Sequence, residues 1–105
     1  MIRGDVHEIA LPRRRGHAQH GGRYAVIVQA DDLLALSTVV VCPTSRSALS
    51  ASFRPEVAVA GEETRVLCEM VRAVDSRSLG DRIGHLSLDE IASVDEALEL
   101  VLALS

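Results

Sequence analysis

Apolar residues occur along this chain in short runs that polar or glycine-rich segments separate, a pattern typical of many short β-strands. Proline has no backbone N–H to donate to a neighbouring strand, so we expect Pro43 to end the run before it. Two short stretches, residues 31–35 and 75–79, are predicted as a turn and a single helical turn. The predicted strands are residues 6–11, 24–29, 37–42, 54–59, 64–71 and 83–86.

The end of the chain changes period and predicts one amphipathic helix. Ser87 followed three residues later by Glu90 forms a capping-box signature at its start. The expected apolar stripe has helical spacing and comprises Leu88, Ile91, Val94, Leu98, Val101 and Leu102. The whole chain, residues 1–105, is therefore predicted to be one α+β domain, mostly β. We expect a small barrel of five to seven short strands and a C-terminal helix.

Composition narrows the class of protein. Hydrophobic residues make up 48% of the chain, which is typical of a globular protein rather than a disordered one. Cys42 and Cys68 lie in apolar runs without metal-ligand spacing, so we expect buried, reduced thiols. We find no signal-peptide pattern and no apolar run of about 20 residues, and therefore expect a cytoplasmic protein without a membrane segment.

The net charge of −4 does not by itself suggest a nucleic-acid partner, but the distribution of charge is uneven. Residues 1–23 hold five arginines and three histidines against Asp5 and Glu8, whereas residues 81–105 hold six acidic residues and Arg82. Every cationic residue other than histidine is arginine, whose planar fork suits phosphate. A genome rich in G and C explains the absence of lysine equally well.

Few residues carry a pattern that indicates chemistry. His17 and His20 have HxxH spacing but no third ligand, and Asp5 with Glu8 reads as a solvated strand end, so we predict no metal and no cofactor. Arg23 follows a Gly-Gly pair and precedes a strand, and Thr44-Ser45 follows the next one. If these strands are neighbours, the three residues form an anion site. An ordinary surface arginine with turn hydroxyls explains the same pattern.

Several ordered segments resemble the MazF/PemK/Kid family of toxin endoribonucleases over nearly the whole chain. RGDV at residues 3–6 resembles its first strand, and RGHAQHGGRYAVIV at 15–28 is similar to its KGSEQxGxRPxVV signature. VCPTS at 41–45, LCEMVRAVD at 67–75 and IGHLS at 83–87 are similar to three later segments of the family. Their order and spacing make the resemblance more specific than any one motif.

The resemblance implies an SH3-like barrel that works as a homodimer and cleaves single-stranded RNA at a short sequence without a metal. The ribose 2′-hydroxyl would attack phosphorus, leaving a 2′,3′-cyclic phosphate and a 5′-hydroxyl. The family's catalytic arginine and threonine fall on Arg23 and Thr44. An antitoxin with an acidic disordered tail is the implied protein partner. Within the matching segments, we assign RNA contacts to His17, Gln19, His20, Ser45 and Arg72.

The chain departs from the family pattern at three positions. Ala18 stands where the family has glutamate, Tyr24 where it has proline and Met70 where it has a second glutamine. The missing glutamate removes one candidate general base or a carboxylate that would orient the arginine. Either His17 or His20 supplies the base, or the enzyme is weak, or Ala18 is an engineered change.

Two other functions compete with the ribonuclease. A CcdB-like toxin would poison DNA gyrase through C-terminal residues that include an aromatic one, and this chain ends in LALS without one. A catalytically weak homologue would mainly bind its antitoxin. The loops at residues 12–22 and 45–53 are expected to determine the cleavage sequence.

Overall fold

A computed structural model of the protein describes residues 1–10 and 24–104. Within them the chain forms seven strands and one helix, in the order β1 (Asp5–Ile9), β2 (Tyr24–Ile27), β3 (Thr38–Ser45), β4 (Glu56–Val59), β5 (Glu62–Val66), β6 (Arg72–Asp75), β7 (Leu79–His85) and α1 (Leu88–Leu102). The strands curl into a half-barrel sheet, which confirms the predicted mostly-β fold with a C-terminal helix.

The sheet is antiparallel, with the order β4-β5-β3-β2-β1-β7, and β6 also pairs with β3. β3 is therefore the central strand, with β2 on one edge and β5 followed by β6 on the other. Within its β-branched run Val39 and Val41 are fully buried on one face, and from Val41 to Ser45 every residue is buried, as expected for a central strand. The hairpin between β4 and β5 turns through Ala60 and Gly61, both with positive φ, as a two-residue turn of the type that matches strand twist.

Pro43 does not end β3, so the prediction of a strand boundary there was wrong. β3 continues to Ser45 because the Pro43 carbonyl still accepts a hydrogen bond from the Leu67 N–H, 2.8 Å away. The missing proline N–H affects the partner strand instead. Any other residue at position 43 would donate its backbone N–H to the Leu67 carbonyl in this antiparallel rung. Proline cannot, and the Leu67 carbonyl accepts instead from the Met70 N–H at 3.0 Å.

The predicted strand at residues 64–71 is consequently split into β5 and β6. Between them lies a 3-10 turn over Cys68–Met70, which the Met70-to-Leu67 hydrogen bond closes. Other boundaries also differ from prediction. β4 begins at Glu56, β7 is longer than residues 83–86, and residues 75–79 contain the predicted turn as a 3-10 helix over Ser76–Ser78.

The sheet has an apolar layer on each face. One layer is covered by α1 and contains Val6, Val26, Cys42, Val66, Leu86 and Leu98 among its buried members. The other layer contains Ile9, Ala25, Ile27, Val39, Val41 and Val74. Alternate residues of β1, β2 and β3 supply the two layers, as a strand period of two requires.

Helix α1 packs on the sheet through Val94, Ala97 and Leu98. Leu88 and Leu102 were predicted on its apolar stripe but are 85% and 48% exposed, because they are the first and last helical residues. The helix approaches closely at Gly4, whose φ is +94° and where a Cβ would lie 2.7 Å from Ile91 Cδ1. A side chain at Gly4 would therefore push the helix away from β1.

Both cysteines are buried and free, as the sequence predicted. Hydrogen bonding with the Cys68 thiol, together with burial, raises the pKa of Cys42. A thiol in that state is a poor nucleophile at neutral pH. None of the helices that the structure describes is long and apolar enough to span a bilayer.

Candidate RNA-cleaving site

Thr44 lies near the end of the central strand and is 2% exposed. Its Oγ1 donates a hydrogen bond to the Tyr24 carbonyl at 3.4 Å, which is long for a hydroxyl donor. The register agrees, because Ala25 is opposite Pro43 and the next rung joins Tyr24 to Thr44. Tyr24 directly follows Arg23 in the chain, so the two strands that the sequence analysis expected to be neighbours are neighbours.

Arg23 itself lies outside the described residues, as do His17, Gln19, His20 and the loop at residues 12–22. The chain on either side of this segment is described. β1 ends at Ile9 and β2 begins at Tyr24, on adjacent strands in antiparallel register. β1 therefore ends and β2 begins at the same end of the sheet, and Thr44 lies at that end.

Ser45 follows Thr44 and is buried. Its hydroxyl lies 3.3 Å from the hydroxyl of Ser47, and across the sheet it is paired with Arg65. Arg65 was not singled out from the sequence. The alternation of polar and apolar residues in β5 placed it on a polar face but gave no sign that it would stand beside Ser45.

The loop between β3 and β4 is held by two arginines. Arg65 donates from Nη1 to the Ala48 carbonyl at 3.0 Å and pairs with Glu56. Arg54 donates from Nη1 to the Leu49 carbonyl at 3.1 Å, and its Nε and Nη2 both donate to Glu69. This hydrogen bonding with Glu69 raises the pKa of Arg54. The backbone of the loop is thereby fixed at two consecutive carbonyls.

In the part of the chain that the structure describes, one arginine has no carboxylate partner. Seven arginines lie there, and six form ion pairs. The exception is Arg72, which is exposed. It pairs across the sheet with Val41, three residues before Thr44, or about 10 Å along β3. The arginines with carboxylate partners are Arg3, Arg46, Arg54, Arg65, Arg77 and Arg82.

A buried carboxylate and a histidine form a second polar cluster at the far end of β1. The Asp5 carboxylate accepts from the Ile2 N–H at 2.9 Å and from His85 Nδ1 at 2.8 Å, with Arg82 3.7 Å away. Burial opposes ionisation of Asp5, but the Ile2, His85 and Arg82 interactions together lower its pKa. Asp5 therefore ties β1 to β7, and does not behave as the solvated strand end that the sequence suggested.

The described ranges 1–10 and 24–104 contain no group of three or more histidine, cysteine, aspartate or glutamate side chains arranged to hold a metal ion. The HxxH pair, His17 and His20, lies outside these ranges.

Comparisons with known proteins identify the family. The model of the PemK-like, MazF-like toxins of type II toxin-antitoxin systems matches residues 2–102. This chain belongs to that family. A Mycobacterium tuberculosis protein that is named as a toxin is 39% identical over 106 residues, covering 99% of both chains. Endoribonuclease EndoA of Bacillus subtilis is 30% identical over 109 residues, covering 97% of this chain and 94% of EndoA.

Solved structures of the family share the fold. An endoribonuclease from a mycobacterial species, solved in complex with its cognate antitoxin, superposes with a TM-score of 0.82 at 17% identity. The superposition covers 100% of this MazF-like chain and 97% of that protein. At this level of identity the likeness extends to the architecture, which agrees with the half-barrel sheet and C-terminal helix.

Proposed function

We propose that this MazF-like toxin is an endoribonuclease that cleaves single-stranded RNA in the cytoplasm without a metal ion. The observation that carries the proposal is the hydrogen bond from Thr44 Oγ1 to the Tyr24 carbonyl, which joins Thr44 to the residue after Arg23. The nearly full-length similarity to the endoribonuclease EndoA supports the same activity.

In the proposed reaction the ribose 2′-hydroxyl attacks the adjacent phosphorus, and the bond to the 5′-oxygen breaks. The phosphorane transition state carries more negative charge than the ground state, so a fixed Arg23 guanidinium stabilises it preferentially. The Thr44 hydroxyl, whose present hydrogen bond is long, turns to donate to a non-bridging oxygen. Because the nucleophile belongs to the substrate, RNA is cut and DNA is not.

Arg23 is assigned an electrostatic role, since a guanidinium stays protonated at neutral pH and is therefore a poor base. Arg72 is the described arginine without a carboxylate partner, which makes it a phosphate contact on the flank of the site. Ser45, His17, Gln19 and His20 complete the proposed RNA-binding set.

The proposed assembly is a homodimer, with a cognate antitoxin as partner. The mycobacterial structure of the same fold was solved with its antitoxin, which supports this choice of partner. An acidic disordered tail would bind where RNA phosphates bind and compete with them. Gel filtration with light scattering, alone and with a co-expressed candidate antitoxin, tests both statements.

The decisive experiment is cleavage of a long mixed-sequence RNA by the purified protein in EDTA, followed by sequencing of the 5′-hydroxyl ends. We expect cleavage at a short recurrent sequence. Arg23→Ala and Thr44→Val should each lose at least about 100-fold in rate, as when an oxyanion-stabilising donor is removed. Thr44→Ser, which keeps the hydroxyl, should retain most activity.

The matched control is Thr64→Val, because Thr64 is another buried strand threonine but lies on β5. Its rate should stay near that of the unmodified protein. Equal losses in the Thr44 and Thr64 variants would indicate a fold effect. Cleavage that EDTA abolishes, or no cleavage of any RNA, would contradict the proposal, and the latter result would favour a homologue that only binds antitoxin.

A further inference from the structure

The two cysteines of the chain lie together in the core, on the face of the sheet that carries Thr44. Cys42 is on β3 two residues before Thr44, and Cys68 begins the 3-10 turn that follows β5. Both belong to the apolar layer that α1 covers, and both are free thiols. Neither has a role in the proposed cleavage reaction.

The strand register places the two cysteines opposite each other. β3 and β5 are paired in antiparallel register, and this pairing continues to the Leu67 N–H, which donates to the Pro43 carbonyl at 2.8 Å. The next pair along is therefore Cys42 with Cys68, at a position where antiparallel strands exchange no backbone hydrogen bond. Cα atoms at such positions are about 4.5 Å apart, which is within the range that a disulfide spans.

The two thiols differ in acidity because they hydrogen-bond to each other. Hydrogen bonding with Cys68, together with burial, raises the pKa of Cys42, which therefore stays protonated. Hydrogen bonding with Cys42 lowers the pKa of Cys68, against the opposing effects of burial and of the Glu69 charge. Cys68 is consequently the sulfur that forms a thiolate more easily and reacts first.

The 3-10 turn gives an oxidant a route to Cys68. Both cysteines are fully buried in the closed structure, but Cys68 begins a turn of three residues whose last member, Met70, is 43% exposed. Two backbone hydrogen bonds close the turn, from the Met70 N–H to the Leu67 carbonyl at 3.0 Å and from the Val71 N–H to the Cys68 carbonyl at 3.3 Å. Opening the turn breaks fewer interactions than separating β3 from its neighbours, so this local fluctuation exposes Cys68 first.

We propose that Cys42 and Cys68 are an oxidation site, at which hydrogen peroxide forms a reversible disulfide between the central strand and the turn. The Cys68 thiolate attacks one peroxide oxygen, the O–O bond breaks, and the departing oxygen takes a proton and leaves as water. The Cys42 sulfur then attacks the sulfenic acid on Cys68, the S–O bond breaks, and the hydroxide leaves with the Cys42 proton as a second water. The two sulfurs lose two electrons in total, and the peroxide gains them.

The disulfide also acts on the loop between β3 and β4. Its sulfurs must approach to about 2.05 Å, which draws Cys68 toward β3. Glu69 follows Cys68 in the turn and accepts two hydrogen bonds from Arg54, which in turn donates to the Leu49 carbonyl. Oxidation therefore changes the support of this loop in addition to cross-linking the sheet.

The test is treatment of the reduced, full-length protein with hydrogen peroxide, followed by unfolding, alkylation of the remaining thiols and measurement of the intact mass. We expect a product that runs as a single chain on a non-reducing denaturing gel, is lighter by two hydrogens, carries no alkyl group and is restored by a phosphine. Closing the loop of residues 43–67 should raise the melting temperature by about 10 °C. Oxidation of the exposed Met1 and Met70 is distinguishable, because it adds oxygen that the phosphine does not remove.

Cys42→Ser and Cys68→Ser are matched variants that each keep one thiol and a hydroxyl in place of the other. In Cys42→Ser, peroxide should produce a sulfenic acid on Cys68 that a cyclic diketone captures. Cys68→Ser should react about 10-fold more slowly, because the remaining Cys42 thiol is the less acidic one. Neither variant should gain melting temperature on oxidation.

The unmodified protein alone decides the proposal if a serine variant does not fold. Two thiols that remain fully alkylated after peroxide has oxidised Met70 would overturn it, and so would a disulfide that joins two chains. A melting temperature that falls on oxidation would contradict a cross-link that the fold accommodates. Equal rates for the two serine variants would contradict Cys68 as the first sulfur to react.

Discussion

At the scale of single residues, the charge available to the proposed RNA ligand depends on which arginines lack carboxylate partners. The net charge of −4 gives no hint of a polyanionic ligand, and ion pairs neutralise six of the seven described arginines. Arg72 alone among them has its full charge available. Local pairing rather than total charge therefore determines where a phosphate can bind.

Arg72→Ala should weaken RNA binding mainly through salt-dependent electrostatics. Each phosphate contact releases counterions, so removing one should reduce the slope of log K against log salt by roughly one. kcat should change little. The measurement is fluorescence anisotropy with labelled RNA at several salt concentrations, in the Arg23→Ala background so that no cleavage occurs.

Arg77→Ala is the control for this prediction. Arg77 is also exposed, at 89% of its side chain, but it is paired with Asp75 within its own turn. Its removal should leave the salt slope unchanged. Equal slopes for the Arg72 and Arg77 variants would argue against a phosphate contact at Arg72.

At the scale of elements, the sequence specified most of the sheet and the whole helix, because period and capping are local signals. Two of the failures, the predicted end of β3 and the predicted unbroken strand at residues 64–71, have one physical source near Pro43. Whether a proline ends a strand depends on which neighbour its nitrogen faces, and the sequence does not contain that information. The nitrogen of Pro43 faces Leu67, so β3 continues and the partner strand breaks.

In the candidate site, too, some features could be predicted from local sequence motifs and others depend on the tertiary structure. Thr44 and Ser45 were found through motifs, and the structure places them beside Tyr24 and Arg65. The hydrogen bond between His7 Nδ1 and the carbonyl of Gly80, 73 residues away in the chain, could not be predicted in this way. Such contacts depend on the register between β1 and β7, which a single sequence does not reveal.

The start of α1 should depend on its capping box. Ser87 Oγ accepts from the Glu90 N–H at 3.1 Å, and Glu90 returns a hydrogen bond to the Ser87 N–H at 2.8 Å. Ser87→Ala should lower the free energy of unfolding by about 1 kcal/mol. Urea unfolding followed by circular dichroism measures this.

Ser93→Ala provides the comparison, since Ser93 is an exposed residue inside the same helix. Alanine has the higher helix propensity there, so stability should stay constant or rise slightly. A loss at Ser93 as large as that at Ser87 would mean that the cap has no special role.

At the scale of the whole molecule, Asp5 makes stability depend on acid pH. Its lowered pKa means that the folded state holds the ionised form more strongly than the unfolded chain does. The stabilisation is therefore complete above the unfolded pKa, near 4, and is lost as pH falls through the lower folded pKa.

Asp5→Asn should reduce stability by about 1–3 kcal/mol at pH 7, because charged hydrogen bonds from Ile2 and His85 are weakened. The difference from the unmodified protein should shrink as the pH is lowered below about 4. Thermal unfolding across pH 2–7 measures it. Asp32→Asn, at an exposed position, should change neither the melting temperature nor its pH dependence; a constant gap for Asp5→Asn across the range would contradict the assignment.

The loop between β3 and β4 has a thermodynamic consequence for recognition. Arg65 and Arg54 hold the carbonyls of Ala48 and Leu49, so the conformational entropy of this loop is already lost when the chain folds. An RNA strand that contacts the loop then meets a surface that needs little reordering. Differences in affinity between RNA sequences should therefore be mainly differences in binding enthalpy. Replacing Arg54 or Arg65 should free the loop, so that RNA binding carries a larger entropic cost, which titration calorimetry measures.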